Sequence, residues 1–104
     1  MTEDLYGLRL DDLELARDLV ERRLGVKMLS HSSSFYGGDY YQFQAPTFSG
    51  LAQKNYDEEQ VEYAEEEFSA YGVLVLVTAA DCEEADRCNA GLVELPGATH
   101  IRRL

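Results

Sequence analysis

Ser30–Asn55, SHSSSFYGGDYYQFQAPTFSGLAQKN, is the stretch from which the rest of the chain is best read. It reads as a run of hairpin strands. Side chains along a strand alternate between two faces, and Gly37-Gly38 supplies the positive φ that a tight reversal needs. The flanking strands are Val26–Ser34 and Asp39–Gln44. In the second, Tyr41, Phe43 and Ala45 share one face, and Tyr40, Gln42 and Gln44 share the other. Pro46 ends that pairing or marks an edge. Thr47–Asn55 follows as a further strand with Gly50 as a bulge. Phe35, Tyr36, Tyr40, Tyr41, Phe43 and Phe48 are more aromatics than one small core takes in. Some are expected at the surface, as contact residues.

Upstream, Leu5–Leu10 alternates as a first strand, with Tyr6, Leu8 and Leu10 on one face. Asp11 or Asp12 caps a helix running to about Leu24. Leu13, Ala16, Val20 and Leu24 form its apolar stripe. Acids sit early and Arg22 and Arg23 late, which suits the helix dipole, and Gly25 is the expected C-cap.

Downstream, the composition changes. Tyr56–Glu67, YDEEQVEYAEEE, holds seven acids and no base, and reads as either a loop or a short helix. Tyr71–Val77 is the most apolar run and is expected to be a central strand. Thr78 is the expected cap of a second helix from about Ala79 to Asn89, stopped by Gly91. Leu92–Leu95 reads as a short strand, Pro96-Gly97 as a turn and Thr99–Arg103 as a terminal strand. The sum is one α+β domain over residues 1–104. A mainly antiparallel sheet carries two helices on one face, in a ferredoxin-like or βαβββ-related arrangement.

The hydrophobic content of 45% is too high for a disordered chain. Twenty acids against nine bases leave a net charge of −11. Such a surface repels phosphate backbones and anionic lipid, so a cationic protein is the expected partner, not nucleic acid or membrane. Exposed aromatics on a sheet do stack RNA bases, but they do so beside lysines and arginines that this hairpin lacks. The opening MTEDLYGLRL has neither the basic nor the apolar region of a signal peptide, and no apolar run approaches a membrane span. Cys82 and Cys88 lie about 9 Å apart along a helix, beyond disulfide reach. A reduced, cytoplasmic protein is expected.

No catalytic signature is present. His31 and His100 lack metal-ligand spacing, so neither a metal nor another cofactor is expected. Acids at Asp81, Glu83 and Glu84 disfavour a thiolate at Cys82. Ser30–Ser34 with His31 has no nucleophile elbow, and Gly37-Gly38 lacks the Lys-Ser/Thr of a phosphate loop.

The segment LYGLRLDDLELARDLVERRLGVK, Leu5–Lys27, resembles the opening βα unit of the glyoxalase-like, or vicinal oxygen chelate, fold. That family takes metal ligands from its strands, commonly His, Glu or Gln. The first strand here offers Tyr6, Leu8 and Leu10, so no chelate site is expected. In size, charge, acidic segment and aromatic hairpin, the chain is similar to the small acidic immunity proteins of bacterial polymorphic-toxin and contact-dependent inhibition systems. That resemblance implies a non-enzymatic protein that covers a toxin domain, often a basic nuclease. Asp57, Glu58, Glu59, Glu62, Glu65, Glu66 and Glu67 would steer the partner, and Tyr36, Tyr40, Tyr41 and Tyr56 would anchor it. A monomer or an edge-strand dimer, through an edge such as Thr47–Asn55, is expected. The alternative is a glyoxalase-like or ferredoxin-like small-ligand-binding domain or enzyme, with His31, Tyr41 and His100 lining a pocket.

Overall fold

The computed structural model describes residues 1–33, 38–57 and 62–103, without the side chains of Ser33, Asp57, Glu62, Tyr63 and Glu66. The elements are β1 (Thr2–Leu8), α1 (Leu13–Leu24), β2 (Leu29–Ser33), β3 (Gly38–Gln44), β4 (Phe48–Lys54), β5 (Tyr56–Asp57), β6 (Glu62–Tyr63), β7 (Val73–Ala79), α2 (Cys82–Leu92) and β8 (Ala98–Arg103). Six strands form one antiparallel sheet in the order β2-β3-β4-β7-β1-β8, and β5 and β6 pair separately. Elements β1-α1-β4-β7-α2-β8, in the spatial order β8-β1-β7-β4, make the split βαβ pattern of ferredoxin-like folds. The hairpin β2–β3 is added after α1 and widens the sheet beyond β4.

α1 forms where its sequence says. The Asp12 carboxylate accepts from the amides of Glu14 and Leu15 at 3.0 and 3.1 Å. Gly25 closes the helix in the left-handed region at φ 67°, its amide donating to the Glu21 carbonyl. Leu13, Ala16 and Val20 are buried against the sheet, together with Cys88 and Leu92 of α2. Beneath them, the strand register aligns Tyr6, Val75, Ala52 and Tyr41 in one row and Asp4, Val77, Gly50 and Phe43 in another. Both helices therefore share one face of the sheet.

Several boundaries differ from the sequence reading. β1 ends at Leu8, so Leu10 lies beyond it. Gly50 is no bulge, because its register with β3 and β7 is unbroken. A β-carbon there would stand 2.7 Å from the Phe43 ring, so glycine makes room for that ring. Thr78 does not cap α2. It pairs with Glu3 on one side and Ser49 on the other, because β7 is held by two neighbours. The cap is Asp81, whose carboxylate accepts from the Glu84 amide at 2.9 Å. Gly91 lies inside α2, which leaves no strand at Leu92–Leu95. Arg23 of α1 donates to the Gly91 carbonyl at 2.9 Å. β4 pairs on both sides and is no edge; the edges are β2 and β8. The Gly37-Gly38 reversal falls partly outside the described residues. Among the described residues, no helix is long and apolar enough to cross a membrane.

Candidate functional site

The sheet face away from the helices is divided in two. Its register lines up Leu29, Gln42, Leu51, Leu76, Leu5 and Arg102 in one row across all six strands. The next row is His31, Tyr40, Gln53, Leu74, Gly7 and Thr99. Against β1 and β8 lies the chain's own 64–72 segment. A β-carbon on Gly7 would meet the Tyr71 ring at 2.5 Å, so that ring lies flat on the strand. Glu65 reaches Arg102 of β8 at 2.6 Å. Leu5 and Leu74 are buried on this side.

Asn55 ties that segment down. It is fully buried, and its amide donates to the carbonyls of Phe68 and Tyr71 at 2.9 Å and of Glu65 at 3.4 Å. Its side-chain oxygen accepts from the Glu65 amide at 2.9 Å. One side chain thus answers backbone groups from three points of an irregular loop, and its own buried amide is satisfied in return. Nothing in the local pattern marks Asn55 for this role.

Over β2, β3 and β4 the described side chains of this face are exposed or half-buried. Leu29 is 59% exposed. His31 stacks on Tyr40 with ring centroids 5.4 Å apart and planes 22° apart. Gln42 and Gln44 are exposed, and Leu51 is half-buried.

The expected contact residues scatter over this frame. Tyr40 lies on the face away from the helices. Tyr41 lies on the helix side, where its hydroxyl accepts from Arg17 at 3.3 Å and the guanidinium sits 4.9 Å over its ring. The two tyrosines therefore cannot anchor one surface from one face. Tyr56 is exposed at the start of β5. Asp57 and Glu62 pair across the β5–β6 ladder. Glu65 is engaged by Arg102, Glu66 opens a 3-10 turn with Glu67, and Glu67 is exposed. Tyr36, Glu58 and Glu59 lie outside the described residues.

The expected pocket of His31, Tyr41 and His100 does not form. His31 and His100 stand on opposite edge strands, five strand spacings or about 24 Å apart. Among the described residues, no group of three or more metal-ligating side chains gathers.

His100 instead belongs to a polar cluster between β1, β8 and α2. Asp4, only 1% exposed, lies on the helix face of β1. Arg103 grips it with Nε at 2.9 Å and Nη2 at 3.2 Å, while His100 Nε2 approaches to 2.8 Å. Arg103 also donates to Asp86 of α2 at 3.0 Å. The Tyr6 hydroxyl donates to Asn89 at 3.1 Å. Burial pushes the Asp4 carboxyl up, but the hydrogen bonds and charges of Arg103 and His100 outweigh it and hold the group below its ordinary range. Burial raises the Tyr6 phenol, and burial followed by Glu84 and Asp4 pushes the Cys88 thiol up to about 11. An ionised carboxylate already saturated by donors is a poor general base, and a protonated buried thiol is a poor nucleophile. This cluster clamps the C-terminal strand. The sequence signal was available: Asp4 shares the parity of Tyr6 and Leu8, and a carboxylate on a core face demands a cation.

Compared with models of known protein families, the chain matches none, and no curated protein matches it in sequence.

Proposed function

We propose that this chain is a non-enzymatic protein-binding module of the immunity-protein type, working in the cytoplasm and neutralising a basic toxin domain by covering its active or binding surface. The observation that carries the proposal is the divided sheet face. One half carries Tyr71 against β1 and Glu65 against Arg102 of β8, and the other half presents Leu29 and His31 to solvent with Tyr40 and Leu51 half-buried beside them. A partly exposed patch of aromatic and aliphatic side chains on a strongly acidic chain suits a basic protein partner. The net charge of −11 raises the encounter rate with such a partner, and the patch supplies the desolvated contact. Tyr40 is the central anchor of this reading, and the acids of the 56–67 segment, with Glu67 exposed, are the steering charges.

The test uses the purified chain as bait in an extract of its source organism, at low and at high salt. Two baits run in parallel: Tyr40→Ala, which removes the anchor, and Gln42→Arg, which places a cation in the middle of the patch. The expected result is one basic protein held stoichiometrically by the wild type and released at least tenfold faster from both variants. Charge reversal at Glu67 together with Asp57, Glu58 and Glu59 is expected to slow association and flatten its salt dependence. A chain that retains no protein, or retains one equally on all baits, sinks the proposal.

A further inference from the structure

The sheet has two edges, and they are protected unequally. On β8, Arg102 and Arg103 are both held in ion pairs, and the pairing with β1 shifts register between Leu5 and Tyr6. Charges and bulges are the means by which native sheets close an edge to further strands. β2 has neither. Leu29–Ser33 pairs with β3 through five successive residues without a shift, and it holds no proline and no acidic, lysine or arginine residue. Leu29, Ser30, His31 and Ser32 are all exposed, so among the described residues neither the helices nor the 64–72 segment covers the strand.

We infer that the β2 edge pairs with the β2 edge of a second copy of this chain, antiparallel across a two-fold axis. The chemistry of the strand selects the occupant. A basic partner strand would meet no acid along Leu29–Ser33. A copy of the same strand brings no like-charged carboxylates or ammonium groups opposite one another, which is the self-complementarity that a two-fold contact needs. Repulsion between two chains of −11 is largely screened beyond about 8 Å at physiological salt. The register follows from the length of the strand. Only pairing centred on His31 engages all five residues, with His31 facing its own counterpart, Ser30 facing Ser32 and Leu29 facing Ser33. Each pair then shares a sheet face, as direct cross-strand neighbours must. The result is one continuous sheet with six strands from each copy. A five-residue ladder falls short of the roughly 1,200–2,000 Å² of stable complexes, so the association is weak and concentration-dependent.

Sedimentation velocity on the chain alone, over a micromolar-to-millimolar dilution series, tests this. The wild type is expected to climb from monomer mass toward twice that mass. His31→Lys and His31→Glu each place like charges opposite one another, and each is expected to stay monomeric throughout. An equimolar mixture of the two regains the climb, because Lys then faces Glu. His31 is exposed, so both variants keep the wild-type circular dichroism spectrum. A wild type that remains monomeric overturns the inference, as do single variants that associate like the wild type or a mixture that stays monomeric. The runs contain no other protein, so their outcome is independent of partner capture on the open face.

Discussion

The β8 end of the sheet and the β2 end are both edges, yet one is fastened and the other is not. At the β8 end, Asp4, His100, Arg103 and Asp86 join two strands and a helix through charge-assisted hydrogen bonds. At the β2 end, the strand has β3 as its one sheet neighbour, and its described side chains are exposed on both faces. The difference separates two uses of polar residues. Buried ones must be answered by partners and so hold the fold together. Exposed ones leave a strand open to other molecules.

Asp4→Ala should break the comparison most sharply. It leaves Arg103 without its buried carboxylate. Removal of one member of a buried pair costs about 3–5 kcal/mol, and since Arg103 is 34% exposed the lower end, about 3 kcal/mol, is expected. Urea unfolding would read the loss. The same pair sets an acid limit. Because the native carboxyl is held below its ordinary value of 3.8, its contribution is fully present above that value and is lost as pH falls through the lowered native one. Below pH 3.8 the wild type should lose stability more steeply than Asp4→Asn, which has no carboxylate to titrate. Parallel curves for the two would show that Asp4 is not the group responsible.

Asn55→Ala comes next. It strands several backbone groups of the 55–72 segment and should cost about 2 kcal/mol. Amide exchange should quicken in residues 64–72 before it quickens in β7. Uniform quickening across the sheet would instead make Asn55 part of the global core. The smallest effect is expected at the β2 end. His31→Ala loses only the exposed stack on Tyr40 and should change urea stability by less than about 0.5 kcal/mol. A loss as large as that of Asp4→Ala would erase the contrast between the two ends.

The parts legible in the sequence are those whose causes lie close together along the chain. α1 was readable from Asp12 to Gly25, because its caps and stripe are set by neighbours three and four residues away. The alternation of β3 was readable too: Phe43 is buried and Tyr41 half-buried on the helix side, while Gln42 and Gln44 are exposed. The start of α2 was misread because Thr78 has good capping chemistry but is claimed by two strands that lie far away in sequence. Its end was misread because Gly91, a stop signal by local rules, sits inside the helix, where its carbonyl accepts from Arg23 of α1. Of the candidate site, the hairpin aromatics and acidic run were visible, but their division between faces was not.

The sequence by itself determined the α+β class, the first helix, the hairpin's alternation and the strongly acidic character, since these rest on local spacing and composition. Only the tertiary structure decided that β7 separates β4 from β1, that Asp4 meets His100 and Arg103 from nearly the whole chain length away, and that Asn55 fastens Glu65, Phe68 and Tyr71. It also decided which half of the sheet leaves Leu29 and His31 exposed. Strand order and buried polar partners are fixed by which distant surfaces can be brought together without leaving a charge or an amide unanswered. That condition is met in the folded arrangement of the whole chain, and no local window of residues carries it.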